Sequence, residues 1–250
     1  MSASNHRWWR IGTAVFATCA IYINVGYAQS KGIEGVWRIA APQVLFTPLD
    51  GRAIPFTAQG LRAYQLHKQA AEEGDLSFDP TMTGCASPGQ PRLMLTSEPF
   101  IIFARPSMIT ILYQWNRLFR QISIGKPLKN PLLAPNYWEF LASQGYAQGT
   151  WMGNALLVTT IGLSDEKLLD NLLPSSDQLI LRERFRLRDR DTLEDRLTIQ
   201  DPVNFTRPWD ALLSYRRQSD QLFPFPEDVC LDHLEAKQAP WPTISQLPAD

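Results

Sequence analysis

The stretch QLILRERFRLRDRDTLEDRLTIQ, residues 178–200, decides the fold class. From Gln178 to Arg188 the odd positions read Leu179, Leu181, Glu183, Phe185 and Leu187, and the even ones Gln178, Ile180, Arg182, Arg184, Arg186 and Arg188. From Thr192 to Gln200 the odd positions are Leu193, Asp195, Leu197 and Ile199, against Thr192, Glu194, Arg196, Thr198 and Gln200. A period of two marks a strand with one apolar face, because successive side chains point to opposite sides. Arg188-Asp189-Arg190-Asp191 links the two runs as an antiparallel hairpin. Keeping both apolar faces on one side sets Glu183 opposite Asp195 or one diagonal step away, with Cβ atoms roughly 5–8 Å apart. Two carboxyl groups therefore stand on faces otherwise built of Leu, Ile and Phe. The Arg-bearing even face reads as a solvated outer wall.

The same alternation recurs on either side. In the run Met108–Ile124 the odd positions Ile109, Ile111, Tyr113, Trp115, Arg117 and Phe119 form a second inward set. Trp209, Ala211, Leu213 and Tyr215 form a third. Further strand-like runs lie at Gly32–Ala41, Phe100–Ala104 and Gly149–Ile161. One helix is predicted, starting at Pro55-Phe56-Thr57 with Thr57 as its cap, showing Leu61, Tyr64, Leu66, Ala70 and Ala71 on a loose apolar side, and stopping at Gly74. Residues 75–92 read as loop and the Pro-rich end as an irregular tail. Many short strands, 19 Pro and 14 Gly fit an all-β chain. An antiparallel meander closed into a barrel with one external helix is the leading architecture, with a sandwich as the alternative.

Composition narrows the function classes. The 250 residues carry 24 Lys+Arg against 25 Asp+Glu, a formal net charge of -1. Such a chain has no overall field for phosphate backbones, so no nucleic-acid partner is expected. Its three His lack metal-ligand spacing: His67 falls in the predicted helix and His233 follows Cys230. No metal site is expected. Nucleophile-elbow, P-loop and dinucleotide fingerprints are also missing from the sequence, so no cofactor is expected.

The N-terminus addresses the chain to a compartment. His6, Arg7 and Arg10 precede an uncharged run from Ile11 to Val25 that ends in Gly26-Tyr27-Ala28. Basic start, short apolar run and small residues are the pattern of a signal peptide, here residues 1–28. The run is short of the roughly 20 residues of a bilayer span, which argues against the alternative of an uncleaved anchor. Residues 29–250 are then one secreted or periplasmic domain, touching a membrane only through the leader during export. Cys19 departs with the leader, leaving Cys85 and Cys230. In an oxidising compartment their pairing is expected, worth about 4–5 kcal/mol in the chain-entropy model; two buried thiols are the alternative.

Gly35-Val36-Trp37 on the first strand resembles the Gly-x-Trp signature of lipocalin and calycin barrels. The resemblance implies that this Trp closes one barrel end against a basic residue of the last strand. Pro91-Arg92-Leu93-Met94, Ile111-Leu112-Tyr113-Gln114-Trp115, Trp151-Met152-Gly153-Asn154 with Leu156-Leu157-Val158, Glu183-Arg184, Asp201-Pro202 and Thr206-Arg207-Pro208-Trp209 are together similar to a largely uncharacterised secreted bacterial family with a lipocalin-like barrel. Relatives often carry Glu or Asp at the positions of Gln114 and Asn116, Asp at that of Asn154, and His at that of Ser175. This chain is neutral at all four.

The inward sets define the candidate site. Glu183 and Asp195 are the candidate proton-transfer groups, Arg117 and Tyr113 the stabilisers of developing negative charge, and Trp115, Trp209 and Tyr215 the ligand walls. An apolar interior with few polar groups is what a small-molecule pocket looks like, and buried carboxyl groups there have raised pKa values suited to proton transfer. The expectation is a cofactor-free isomerase, cyclase or lyase acting on an apolar aromatic, terpenoid or steroid-like molecule. A non-catalytic carrier of the same ligand is the alternative, and a structural envelope protein, which needs no pocket, a third reading; the bland reading of the interior pairs Arg117 with Glu183 as a structural ion pair and lets the large aromatics fill the barrel.

Overall fold

The run 178–200 folds as the expected hairpin. In a computed structural model, which describes residues 32–125, 143–165, 167–219 and 226–243, strands Ile180–Asp189 (β7) and Thr192–Gln200 (β8) pair antiparallel. Leu181 faces Ile199, Glu183 faces Leu197 and Phe185 faces Asp195. Asp195 thus lies one diagonal step from Glu183, the second of the two registers allowed by the alternation. Every odd residue named on these strands is buried except Leu187, which is half-buried.

The other strands are Gly35–Ile39 (β1), Phe100–Arg105 (β2), Met108–Tyr113 (β3), Phe119–Ile124 (β4), Tyr146–Met152 (β5), Ala155–Ile161 (β6) and Trp209–Arg217 (β9). They form one closed barrel in sequence order, with β9 returning to β1. Nine strands cannot close with every neighbour antiparallel, because alternation of direction around a ring needs an even number. One pair must be parallel, and it is β4 with β5. The barrel is therefore mixed, where an all-antiparallel meander was expected.

Two of the predicted runs are each a hairpin. Gly149–Ile161 breaks at Gly153 (φ +58°) into β5 and β6. Met108–Ile124 breaks at Asn116 and Arg117, both at φ +47°, with the Leu118 N–H donating to the Trp115 carbonyl at 3.2 Å. Left-handed backbone at both central residues is a type I′ turn, whose twist suits adjoining strands. It pairs Ile111 with Arg120 and Leu112 with Phe119, so an odd residue of β3 shares its face with an even residue of β4. Arg120 and Ile122 point inward, and Phe119 is exposed.

The predicted helix is Ala58–Glu72 (α1), and Thr57 caps it by accepting the Gly60 N–H at 3.0 Å. A Cβ at Gly60 would stand 2.2 Å from the Asn204 carbonyl oxygen, so the helix start lies against the chain before β9. Tyr64 stacks on Phe56, whereas Leu61 and Leu66 are exposed, contrary to the predicted apolar side. Two shorter helices occupy segments read as loop and tail: Pro80–Gly84 (α2), capped by Asp79, and Cys230–Glu235 (α3). Among the described residues no helix is long and apolar enough to cross a membrane. The leader expected at residues 1–28 lies outside the described residues.

Residues 88–96, which include a one-turn 3-10 segment at Arg92–Leu95, are buried throughout and enter the barrel interior. Arg92 anchors them, donating to both carboxyl oxygens of buried Asp79 at 2.9 and 2.6 Å. Cys85 and Cys230 form a disulfide with Cα atoms 5.8 Å apart, joining the end of α2 to the start of α3.

Candidate functional site

The polar centre of the barrel is organised by Arg120. Nη1 of this buried side chain donates to Oε1 of Glu183 at 2.8 Å, and Nη2 donates to Oε2 and to the Thr160 hydroxyl. The pair is bidentate and out of contact with solvent at 1% and 0% exposure. Burial works against the guanidinium charge, but the charge and hydrogen bonds of Glu183 outweigh it and hold Arg120 above its ordinary pKa.

Asp195 is treated differently. It stands opposite Phe185 on one side and Leu213 on the other, is fully buried, and neither carboxyl oxygen has a hydrogen-bond partner. Burial pushes its pKa well above the usual carboxylate range; the nearby Glu183 charge adds to the rise and Arg120 opposes it. The environment favours the neutral acid, which is both donor and acceptor.

Two phenols complete the cluster. The Tyr113 hydroxyl donates to the Met94 sulfur at 3.0 Å and accepts from the Gln90 amide at 3.2 Å, while the Tyr215 hydroxyl donates to the Met94 carbonyl at 3.1 Å. Burial holds both phenols above their ordinary pKa, so both are donors at neutral pH. Their partners belong to the buried 88–96 segment, so that segment and the inner faces of β3 and β9 fix one another.

The structure brings together Glu183, Asp195, Tyr113 and Tyr215, and it corrects Arg117. That residue is on the type I′ turn, 55% exposed, with its Nε 3.8 Å from Glu227. The cation on the inner face is Arg120, because the turn reverses the parity of inward positions. Trp115 is buried but outside this cluster: its indole N–H donates to the Pro240 carbonyl at 2.8 Å and its ring meets Trp241 edge-on. Trp209 is buried opposite Ile199, four residues along β9 from the Leu213 that faces Asp195, hence roughly 13 Å away at about 3.3 Å per residue. It stacks edge-on with Phe205, and its indole nitrogen has no partner.

Arg120, Gln90, Thr160 and Met94 are absent from the sequence-based candidates. Reading Asn116-Arg117 as a turn would have exposed Arg120; nothing in the local pattern marks residues 88–96 as an interior segment. Of the four neutral positions Gln114, Asn116, Asn154 and Ser175, Asn116 has a structural task, its side-chain oxygen accepting the Cys230 N–H at 2.8 Å, and Asn154 is exposed beside Gly153. Among the described residues no three His, Cys, Asp or Glu converge on a metal position. Chemically, the centre offers a neutral acid with free oxygens, an ion pair beside it, and an Arg120 Nε–H with no acceptor.

No family model matches the chain, and no curated protein matches it. Solved structures to which it is similar include two crystal structures of the fluorescent protein UnaG, each a mutant at one asparagine. The alanine mutant shows 14% identity and a TM-score of 0.35 over 76% of this chain and 98% of that one. The glutamine mutant shows 13% identity and a TM-score of 0.30 over 74% and 94%.

Proposed function

We propose that the protein is a secreted or periplasmic, cofactor-independent acid–base enzyme of isomerase, cyclase or lyase type, acting on a small apolar aromatic, terpenoid or steroid-like molecule inside the barrel. The observation that carries the reading is the asymmetry between two carboxyl groups one diagonal step apart. Glu183 is engaged on both oxygens by Arg120, and Asp195 is buried with both oxygens free. Environments that drive neighbouring carboxyl groups apart in protonation are how active sites separate an acid from a fixed charge. Asp195 is the proton donor and, once ionised, the base that recovers a proton. The unpaired Arg120 Nε–H stabilises negative charge that develops on the substrate, joined by the Tyr113 hydroxyl once it turns from its weak acceptor, the Met94 sulfur, and Tyr215 and Phe185 form the adjoining walls. A positioned acid of this kind typically contributes about 10²–10⁴-fold. The Cys85–Cys230 disulfide supports an oxidising compartment.

A non-catalytic carrier is the second reading. The Tyr113 and Tyr215 hydroxyls are already bonded to Met94, so Asp195 and the Arg120 Nε–H are the groups free to hold a ligand oxygen. One experiment that needs no named substrate separates the two readings. An apolar extract of the producing cells is incubated in D₂O with the purified protein or with Asp195→Asn, and its components are weighed by mass spectrometry. The enzyme reading expects one compound to gain deuterium with the wild type and not with Asp195→Asn. A compound retained by both proteins without exchange establishes the carrier, and a result with neither exchange nor retention refutes both.

A further inference from the structure

The outer wall of the barrel carries charge that the interior reading does not use. Across β6, β7 and β8 the residues Leu157, Arg184 and Arg196 stand in one cross-strand row, and Thr159, Arg182 and Thr198 in the next. Arg184 and Arg196 are therefore direct neighbours of like charge, an arrangement that costs stability in a sheet unless something neutralises it. Asp210 answers only Arg196, at 2.6 Å, and is also held by the Thr198 hydroxyl at 2.6 Å. Arg182 donates to the Gln200 amide oxygen at 2.8 Å. Arg184 has no partner among the described residues.

These side chains line a surface cleft of about 380 Å³, completed on the β5 side by Gln148 and Thr150. With the Glu183 side chain turned inward to Arg120, three guanidinium groups against the one outward carboxylate, Asp210, give the cleft a positive balance on a chain whose formal net charge is -1. The cations are all Arg, whose planar fork matches the oxygens of a phosphate two at a time, which a Lys ammonium does not do.

We propose that this cleft is a binding site for a phosphate-bearing ligand, with Arg184 as its principal contact and Arg196 and Arg182 on either side of it. Oxygens of the phosphate sit between the Arg184 and Arg196 guanidinium groups and relieve their repulsion, and the Thr159 hydroxyl supplies a further donor. The same chemistry is offered by a free phosphate compound and by a phospholipid headgroup, and two probes distinguish these sources. Inorganic tripolyphosphate is titrated by calorimetry at low salt. Vesicles of phosphatidylglycerol, with phosphatidylcholine as the uncharged comparison, are tested by co-sedimentation.

The variants are Arg184→Gln, the double variant Arg182→Gln/Arg184→Gln, and Arg188→Gln as a control outside the cleft. All three positions are exposed, so the fold persists. Loss of charge-assisted bonds predicts that Arg184→Gln weakens the bound probe about tenfold and the double variant more, while Arg188→Gln leaves binding unchanged. Binding of tripolyphosphate alone identifies a soluble ligand; binding of phosphatidylglycerol vesicles identifies a headgroup. Binding of neither probe overturns the site, as does equal weakening by Arg188→Gln, which would reduce it to the general charge of the wall.

Discussion

Asp195 and Glu183 lie one diagonal step apart across β7 and β8, and Arg120 satisfies only Glu183. Removing the charge from Glu183 leaves a buried guanidinium without its counter-ion. Glu183→Gln is expected to lower unfolding free energy by about 3–5 kcal/mol in urea titrations at pH 7. A loss below about 1 kcal/mol would mean that Arg120 finds another partner.

Asp195→Asn is expected to act in the opposite direction. Its folded pKa is raised above the ordinary value of 3.8, so between that value and the folded pKa the unfolded chain releases a proton that the native chain keeps. The native state then binds more protons, and wild-type stability falls as pH rises through this window. The amide removes that dependence. Unfolding midpoints of wild type and variant should converge near pH 4, with the variant gaining on the wild type toward pH 7; parallel profiles would refute a raised pKa.

Trp37 and Arg217 close the end where β1 meets β9. The guanidinium carbon lies 4.2 Å from the centre of the indole, whose N–H donates to the Ile33 carbonyl at 2.9 Å. Arg217 is on the last strand, as the Gly-x-Trp resemblance implies. Gly35 is required there too: at φ +126° a Cβ would stand 2.5 Å from Arg217 Nη1. Trp37→Ala should cost about 3–5 kcal/mol and Gly35→Ala about 1–3 kcal/mol, read from thermal and urea unfolding. A near-zero loss for Trp37→Ala would contradict its burial.

How much of this was legible depended on where periodicity survives. β7, β8 and β9 keep a period of two, so their inward residues and the outward arginines could be read directly, and Glu183 and Asp195 could be narrowed to two registers, of which the structure takes the diagonal. β3 and β4 share an apolar run in which a turn inverts the parity, and that single inversion exchanged Arg117 for Arg120. The interior role of residues 88–96 was not legible because it rests on long-range bonds: Arg92 to Asp79, and Met94 to Tyr113 and Tyr215. Convergence likewise cannot be read from alternation, which says that Trp115 and Trp209 are buried and not how far along the barrel they lie.

His233 offers a titration near neutrality. Its Nε2 lies 2.5 Å from Asp228 Oδ1, and that bond, more than the opposing burial, holds its pKa above 6.5. The folded pKa exceeds the unfolded one, so the stabilisation is complete below about pH 6.5 and is lost as pH rises through the folded value. An NMR titration of the imidazole should give a midpoint above 6.5, returning toward it in Asp228→Asn. An unchanged midpoint in that variant would assign the shift to another group.

The disulfide carries the last prediction. Cys85 and Cys230 are 145 residues apart, and closing so long a loop in the unfolded chain is worth about 5 kcal/mol in the entropy model. The bond joins the helix preceding the interior segment 88–96 to the helix that begins the described tail. That tail also has bonds of its own to the β3–β4 turn. Asn116 donates its N–H to the Asp228 carbonyl at 2.7 Å, its side chain accepts the Cys230 N–H, and Trp115 donates to Pro240. Because these contacts hold both cysteine segments in place, Cys85→Ser/Cys230→Ser should still fold, with unfolding free energy reduced by about 2–5 kcal/mol. Intact mass after alkylation should show no free thiol at these positions before reduction and two afterwards. Two alkylated thiols in the unreduced protein would refute the bridge, and an unchanged urea midpoint in the double variant would place all the restraint on the tail in the hydrogen bonds of Asn116 and Trp115.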